Sequence, residues 1–259
     1  MIAETITARH LIGMLKYAKP PITEAIIEFQ FVGDCPPPIR VKIARKLKKA
    51  YPFEETIQEV VMENDAFGMR QTVNIVGMRL SSADRSSLFN IFNAPPMTPV
   101  IEARPSAFST SQLAPYVGWN SFVARFLEGW SLIEKHIGHR KLLRIGVRYV
   151  NRIDIPGVIE DPWQWVRIRP QLPNEIAQPD GFSLFATIPV GDGKANIGVS
   201  LAPSLLPHYS SIFLDIDIYT VNEISDRPAD RIGILEEFRV RKNAIFEACI
   251  TEAARELFQ

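Results

Sequence analysis

From Ala25 to Phe31 the chain alternates, with Ala25, Ile27, Phe29 and Phe31 on one set of positions and Ile26, Glu28 and Gln30 on the other. A period of two places successive side chains on opposite faces, so the segment following Pro20-Pro21 reads as a half-buried strand. After Pro36-Pro37-Pro38 the period lengthens, and Ile39, Ile43, Leu47 and Tyr51 recur every four residues. This predicts a short helix with prolines at its mouth, ending near Pro52. β-Branched and aromatic residues then come in bursts from Thr56 to Met62, Gln71 to Leu80 and Leu88 to Phe92, separated by Asn, Asp, Gly and Ser. These read as antiparallel strands. The proline-rich stretch from Asn93 to Pro99 reads as a loop, and Val100 to Arg104 as one more strand.

The strongest helical pattern runs from Trp119 to Ile137. Trp119, Phe122, Val123, Phe126, Trp130, Ile133 and Ile137 make an apolar stripe, and Gly138 is placed to close the helix. Ile145, Val147 and Tyr149 alternate with Arg144, Arg148 and Val150 as a strand. The segment Asp161 to Val166, opening Asp-Pro, is expected to start a short helix. Phe182 to Val190, Ala195 to Leu201 and Ile212 to Tyr219 are expected strands, the first two joined as a hairpin by Gly191-Asp192-Gly193. Asp226 and Pro228 open a final helix. Its stripe of Ile232, Leu235, Phe238, Ile245, Phe246, Cys249, Ala253 and Leu257 carries it nearly to Gln259.

This order predicts an α+β fold, a curved antiparallel sheet with two long helices on one face. Each half reads strand, short helix, several strands, long helix, which suggests a pseudo-duplication with halves at about 20–140 and 141–259. In outline the arrangement is that of the TATA-binding protein, an analogy of shape that carries no function. Residues 1–19 read as an N-terminal extension preceding a single domain, with an amphipathic pattern at Ile2, Ile6, Leu11 and Leu15.

Composition narrows the classes of function. The chain has 259 residues, 46% hydrophobic and 22% charged, which is the profile of an ordinary globular protein. Lys plus Arg and Asp plus Glu each number 29, so net charge supplies no field to hold a nucleic acid or an acidic membrane. The densest basic run, Arg40, Lys42, Arg45, Lys46, Lys48 and Lys49, admits two readings, a solvated helix face or a phosphate-tracking surface. Cys35 and Cys249 stand far apart without zinc spacing, which suits a reducing, cytoplasmic setting. No apolar run is long enough to span a membrane as a helix.

Candidate chemistry centres on Asp215 and Asp217 with Arg148, Asn151 and Arg152. Carboxylates at i and i+2 of a strand project from one face, a geometry able to ligate a divalent cation or to pair with arginines of a neighbouring strand. Both readings stand at this level, and no metal is assigned outside the first. Pro115, Tyr116 and Trp119 at the start of the first long helix form either an aromatic platform for a ligand or a staple fixing the helix to the sheet. Trp163 and Trp165 diverge on a helix, leaving one as a candidate partner contact. His136 and His139 lie i and i+3 at a helix end without a third ligand nearby in sequence, and His10 and His208 are isolated. No G-x-S-x-G occurs, and Gly191-Asp192-Gly193-Lys194 lacks the phosphate-loop spacing. No catalytic residue and no cofactor follows from these patterns.

Five segments taken in order carry a resemblance. They are Lys19-Pro20-Pro21-Ile22-Thr23-Glu24-Ala25-Ile26-Ile27-Glu28-Phe29, Leu113-Ala114-Pro115-Tyr116-Val117-Gly118-Trp119, Arg144 to Ile153, Leu214-Asp215-Ile216-Asp217 and Asn243-Ala244-Ile245-Phe246-Glu247. Together they resemble a family of sporadically distributed, functionally uncharacterised prokaryotic proteins. The resemblance implies no activity or cofactor. Its patchy distribution points to an accessory gene, with defence cassettes as one setting. The expectation is a binding protein with a protein partner. The alternative is a metal-dependent enzyme acting on a nucleotide or phosphorylated substrate, with Asp215 and Asp217 as ligands and Arg148 and Arg152 as anion clamps.

Overall fold

The computed structural model describes residues 17–65, 68–83, 98–170, 173, 181–204 and 206–259. The expected strand at Leu88 to Phe92, most of the loop at Asn93 to Pro99, His10, and the amphipathic pattern of residues 1–16 lie outside them. The strands are β1 (Ile22–Phe31), β2 (Phe53–Asp65), β3 (Gly68–Ser81), β4 (Pro99–Ala103), β5 (Ala107–Leu113), β6 (Leu142–Pro156), β7 (Ser183–Val190), β8 (Gly193–Pro203) and β9 (Tyr209–Thr220). The helices are α1 (Pro37–Leu47), α2 (Trp119–Ile137), α3 (Pro228–Cys249) and α4 (Glu252–Glu256). The fold is α+β, and the nine strands among the described residues follow the order β2-β3-β4-β5-β1-β6-β9-β8-β7 in an open antiparallel sheet. The described residues divide into two compact units, those within 26–144 and those of 17–25 with 145–259.

In the unit of residues 26–144 an aromatic core explains the folding of α2. Phe29 meets Phe126 edge to face at 4.6 Å and Trp130 at 5.3 Å, while Phe108 lies 5.6 Å from Phe126. Each such ring contributes roughly 1.5–3 kcal/mol on burial. Gly129 costs the helix interior roughly 1 kcal/mol relative to alanine. It is tolerated because a Cβ there would come within 2.6 Å of the Phe108 ring. α1 turns Arg40, Ile43 and Ala44 inward, and Arg40 donates to the Cys35 carbonyl at 2.6 Å. The other members of the basic run, Lys42, Arg45, Lys46, Lys48 and Lys49, are exposed.

In the second unit β6, β9 and β8 alternate cleanly. Ile145, Val147, Tyr149, Ile153, Leu214, Ile216, Ile218, Ala195 and Val199 are buried on one face, with Leu235 and Phe238 of α3 also buried. α3 brings one cation inside: Lys242 is 7% exposed, its Nζ 3.7 Å from the centre of the Tyr149 ring. Burial, reinforced by Arg239, pushes its pKa down to about 7, with Glu247 opposing.

Two expectations are corrected, and one strand went unforeseen. The final helix does not run unbroken towards Gln259: at Ile250 the backbone is extended (φ −102°, ψ 157°) and bridges Val166. Arg167 N–H donates to the Cys249 carbonyl and Thr251 N–H to that of Trp165, groups an unbroken helix would have turned along its own axis. Thr251 then caps α4 by accepting from Ala254 N–H. The expected helix at Asp161 to Val166 is a single 3₁₀ turn, Pro162–Gln164, with Asp161 accepting from Trp163 N–H at 2.9 Å. β5 went unforeseen because Ser109, Thr110, Ser111 and Gln112 are all buried, so the segment shows no apolar alternation.

Candidate functional site

The second unit's sheet presents its other face outward, and strand register sets the neighbours on it. One row runs Arg148, Asp217, Asn196, Thr187 across β6, β9, β8 and β7. The next runs Val150, Asp215, Gly198, Phe185, and a third Arg152, Phe213, Ser200, Ser183. Arg148, Phe185, Asn196, Gly198, Asp215 and Asp217 line a shallow depression of about 220 Å³.

Arg148 reaches diagonally past the residue opposite it to grip Asp215. Its Nε lies 2.9 and 3.1 Å from the two carboxylate oxygens, and Nη2 bonds the second. This two-pronged contact raises the Arg148 pKa further, helped by the charges of Asp215, Asp217 and Glu24 against the cost of burial. The guanidinium is a permanent cation set among three carboxylates. Thr187 donates its hydroxyl to Asn196 Oδ1 at 2.9 Å, fixing the amide. Phe185 is 72% exposed and stands opposite Gly198, where no side chain shields it.

Of the residues expected from sequence, Arg148, Asp215 and Asp217 meet here. Arg152 instead pairs with Asp154 along its own strand, at 3.1 and 3.0 Å, and Asp154 also accepts from Ser211 at 2.6 Å. Asn151 faces the opposite side of the sheet, buried, donating to the Leu214 carbonyl at 2.9 Å. Tyr116 and Trp119 belong to the unit of residues 26–144, where both meet the Phe122 ring edge-on, at 6.0 and 6.5 Å. Trp119 is 8% exposed, so little of its indole is open to a ligand. Trp163 stacks on Phe182 at 4.8 Å. His136 lies against the Leu132 carbonyl and His139 against Glu134, at 2.8 and 3.1 Å.

Sequence reading missed Phe185, Asn196 and Gly198. Their signal was the hairpin: a turn of Gly191 and Asp192 makes Val190 and Gly193 partners and carries Asn196 to Thr187 and Gly198 to Phe185. Gly191 has φ +56°, as the first centre of such a turn requires.

The pairing seen in the structure is between arginine and carboxylate. Asp215 spends both oxygens on Arg148, and among the described residues no group of three His, Cys, Asp or Glu side chains is placed to hold a metal ion. No described helix is long and apolar enough to cross a membrane. No family model matches the chain, and no curated protein matches it.

Proposed function

We propose that this is a binding protein that engages a protein partner through the outward face of β6, β9, β8 and β7. The observation that carries the reading is the lining of the depression, in which a fixed guanidinium, carboxylates, an oriented amide and an exposed phenyl ring share one rigid surface. Oriented polar groups beside an aromatic anchor are what protein recognition sites use. Strands hold them in place, so a partner pays little ordering cost there. The mixed charge favours a polypeptide over a phosphate backbone, which calls for an excess of cations.

The test is cross-linking capture from a native-like host with wild-type protein and with Asp217→Lys. Asp217 is partly exposed on the outward face, so the fold should tolerate the change. A specific partner retained by the wild type and lost by the variant is expected. Identical captures by both would refute the reading. In parallel, Mg²⁺ or Mn²⁺ should leave the melting temperature unchanged. A rise abolished by Asp217→Asn would replace binding with the metal-dependent enzyme.

A further inference from the structure

We infer that β7 is a homodimerisation edge, joined in antiparallel fashion to β7 of a second copy about a two-fold axis at Phe185. β7 ends the strand order, and among the described residues its sheet partner is β8. From Phe182 to Val190 it contains no charged residue, and it is exposed along most of its length on both faces, including Phe185 at 72% and Ile188 at 36%. An apolar, uncharged terminal strand is a template for another strand. The strand at the other end of the order, β2, carries Glu54, Glu55, Glu59 and Glu63 and lacks this character.

Hairpin geometry fixes which amides are on offer. Val190 and Gly193 flank a two-residue turn and must exchange both main-chain hydrogen bonds. With no register shift in the pair, Ile188, Ala186 and Leu184 also bond to β8, and Ser183, Phe185, Thr187 and Pro189 direct their main-chain groups outward. Pro189 has no N–H to give, which selects the register. An axis at Thr187 would oppose Pro189 to Phe185 and lose donors. An axis at Phe185 pairs Ser183 with Thr187 and Phe185 with itself, giving about six main-chain hydrogen bonds without calling on Pro189. It also stacks the two exposed Phe185 rings and sets Leu184 against Ala186 and Phe182 against Ile188, all uncharged.

A second copy is the occupant because the segment is complementary to itself and the chain's formal net charge is zero, so copies approach without long-range repulsion. A joint one strand long belongs to the weak class, with a Kd of roughly 10–100 µM.

Two measurements test this on the purified full chain with no partner present; Phe185 also lines the outward depression, so Thr187→Pro, which acts on the main chain of the edge, keeps failure here distinct from failure of the binding reading. Sedimentation from ~1 µM to ~500 µM should show a monomer–dimer equilibrium, weakened at least ~10-fold by Phe185→Lys, which sets like charges at the axis, and by Thr187→Pro, which removes an outward donor. Hydrogen exchange should find the Ser183, Phe185 and Thr187 amides fast in dilute protein and slowed when concentrated, with Leu184, Ala186 and Ile188 protected throughout. A monomer at every concentration, or a dimer indifferent to both variants, overturns the inference. Protection of the outward amides that is independent of concentration overturns it in favour of cover by the chain's own residues. Protection appearing only with host extract overturns it in favour of a foreign strand.

Discussion

The two units solve the same packing problem with different materials. In residues 26–144 the helix α2 meets interlocking aromatic rings, and the terminal strand β2 bristles with glutamates. In the other unit α3 covers a mainly aliphatic sheet but buries Lys242 on Tyr149, and the terminal strand β7 is bare of charge. Arg40 of the first unit is equally buried but donates to the Cys35 carbonyl, whereas Lys242 lies over a ring face; a buried ammonium and an exposed apolar edge both run against stability and solubility. Departures of that kind collect where function is housed. The contrast fits the proposed binding role, since the depression lies in the unit that carries both departures.

The largest test of that contrast is in residues 26–144. Phe126→Ala removes a fully buried ring touching Phe29 and Phe108 and should lower unfolding stability by about 3–5 kcal/mol, read from urea midpoints. A loss under ~1 kcal/mol would mean the aromatic cluster is not the main support.

Next comes Lys242→Met, expected to stabilise by about 2 kcal/mol at pH 7 because a long apolar chain replaces a poorly solvated ammonium. The native pKa, about 7, is below the ordinary value near 10.5, so between those limits the unfolded chain binds the extra proton. Wild-type stability should therefore gain a rising contribution from about pH 7 towards pH 10, absent in Lys242→Met. The gap between the two proteins should be widest below pH 7. Parallel pH profiles would show that the ring and Glu247 hold the lysine charged at little cost.

The smallest effect belongs to the site. Arg148→Ala should change stability by less than about 1 kcal/mol, since the Arg148 side chain is 47% exposed and solvent screens the pair. Equal small losses of stability and large losses of partner capture would mark the residue as kept for binding. A loss above ~2 kcal/mol would return it to the scaffold.

Much of this was legible from residue periods. Trp119 to Ile137 forms α2 with the bounds its stripe dictates, and the i, i+2 spacing of Asp215 and Asp217 placed them on one face. What escaped was decided by partners distant in sequence. Ile250 leaves the helix because Val166 offers it a bridge; Arg152 is the exception, pairing with Asp154 two residues along its own strand, a partner the same i, i+2 spacing allowed. Phe185 and Asn196 joined the site through a register that the Gly191-Asp192 turn specifies but that sequence reading carried no further than a hairpin.

The discontinuity of the second unit governs the order in which the molecule is made. Tyr17 packs edge-on against Phe258 at 5.3 Å, and Lys19 N–H donates to the Phe258 carbonyl at 2.9 Å. A ribosome delivers residues 26–144 as a complete set while residues 17–25 must wait for a partner synthesised more than two hundred residues later. Residues 26–144 can thus mature first, and the second unit closes only after the segment around Phe258 has been made, so a product cut before it would lack the contacts that hold residues 17–25.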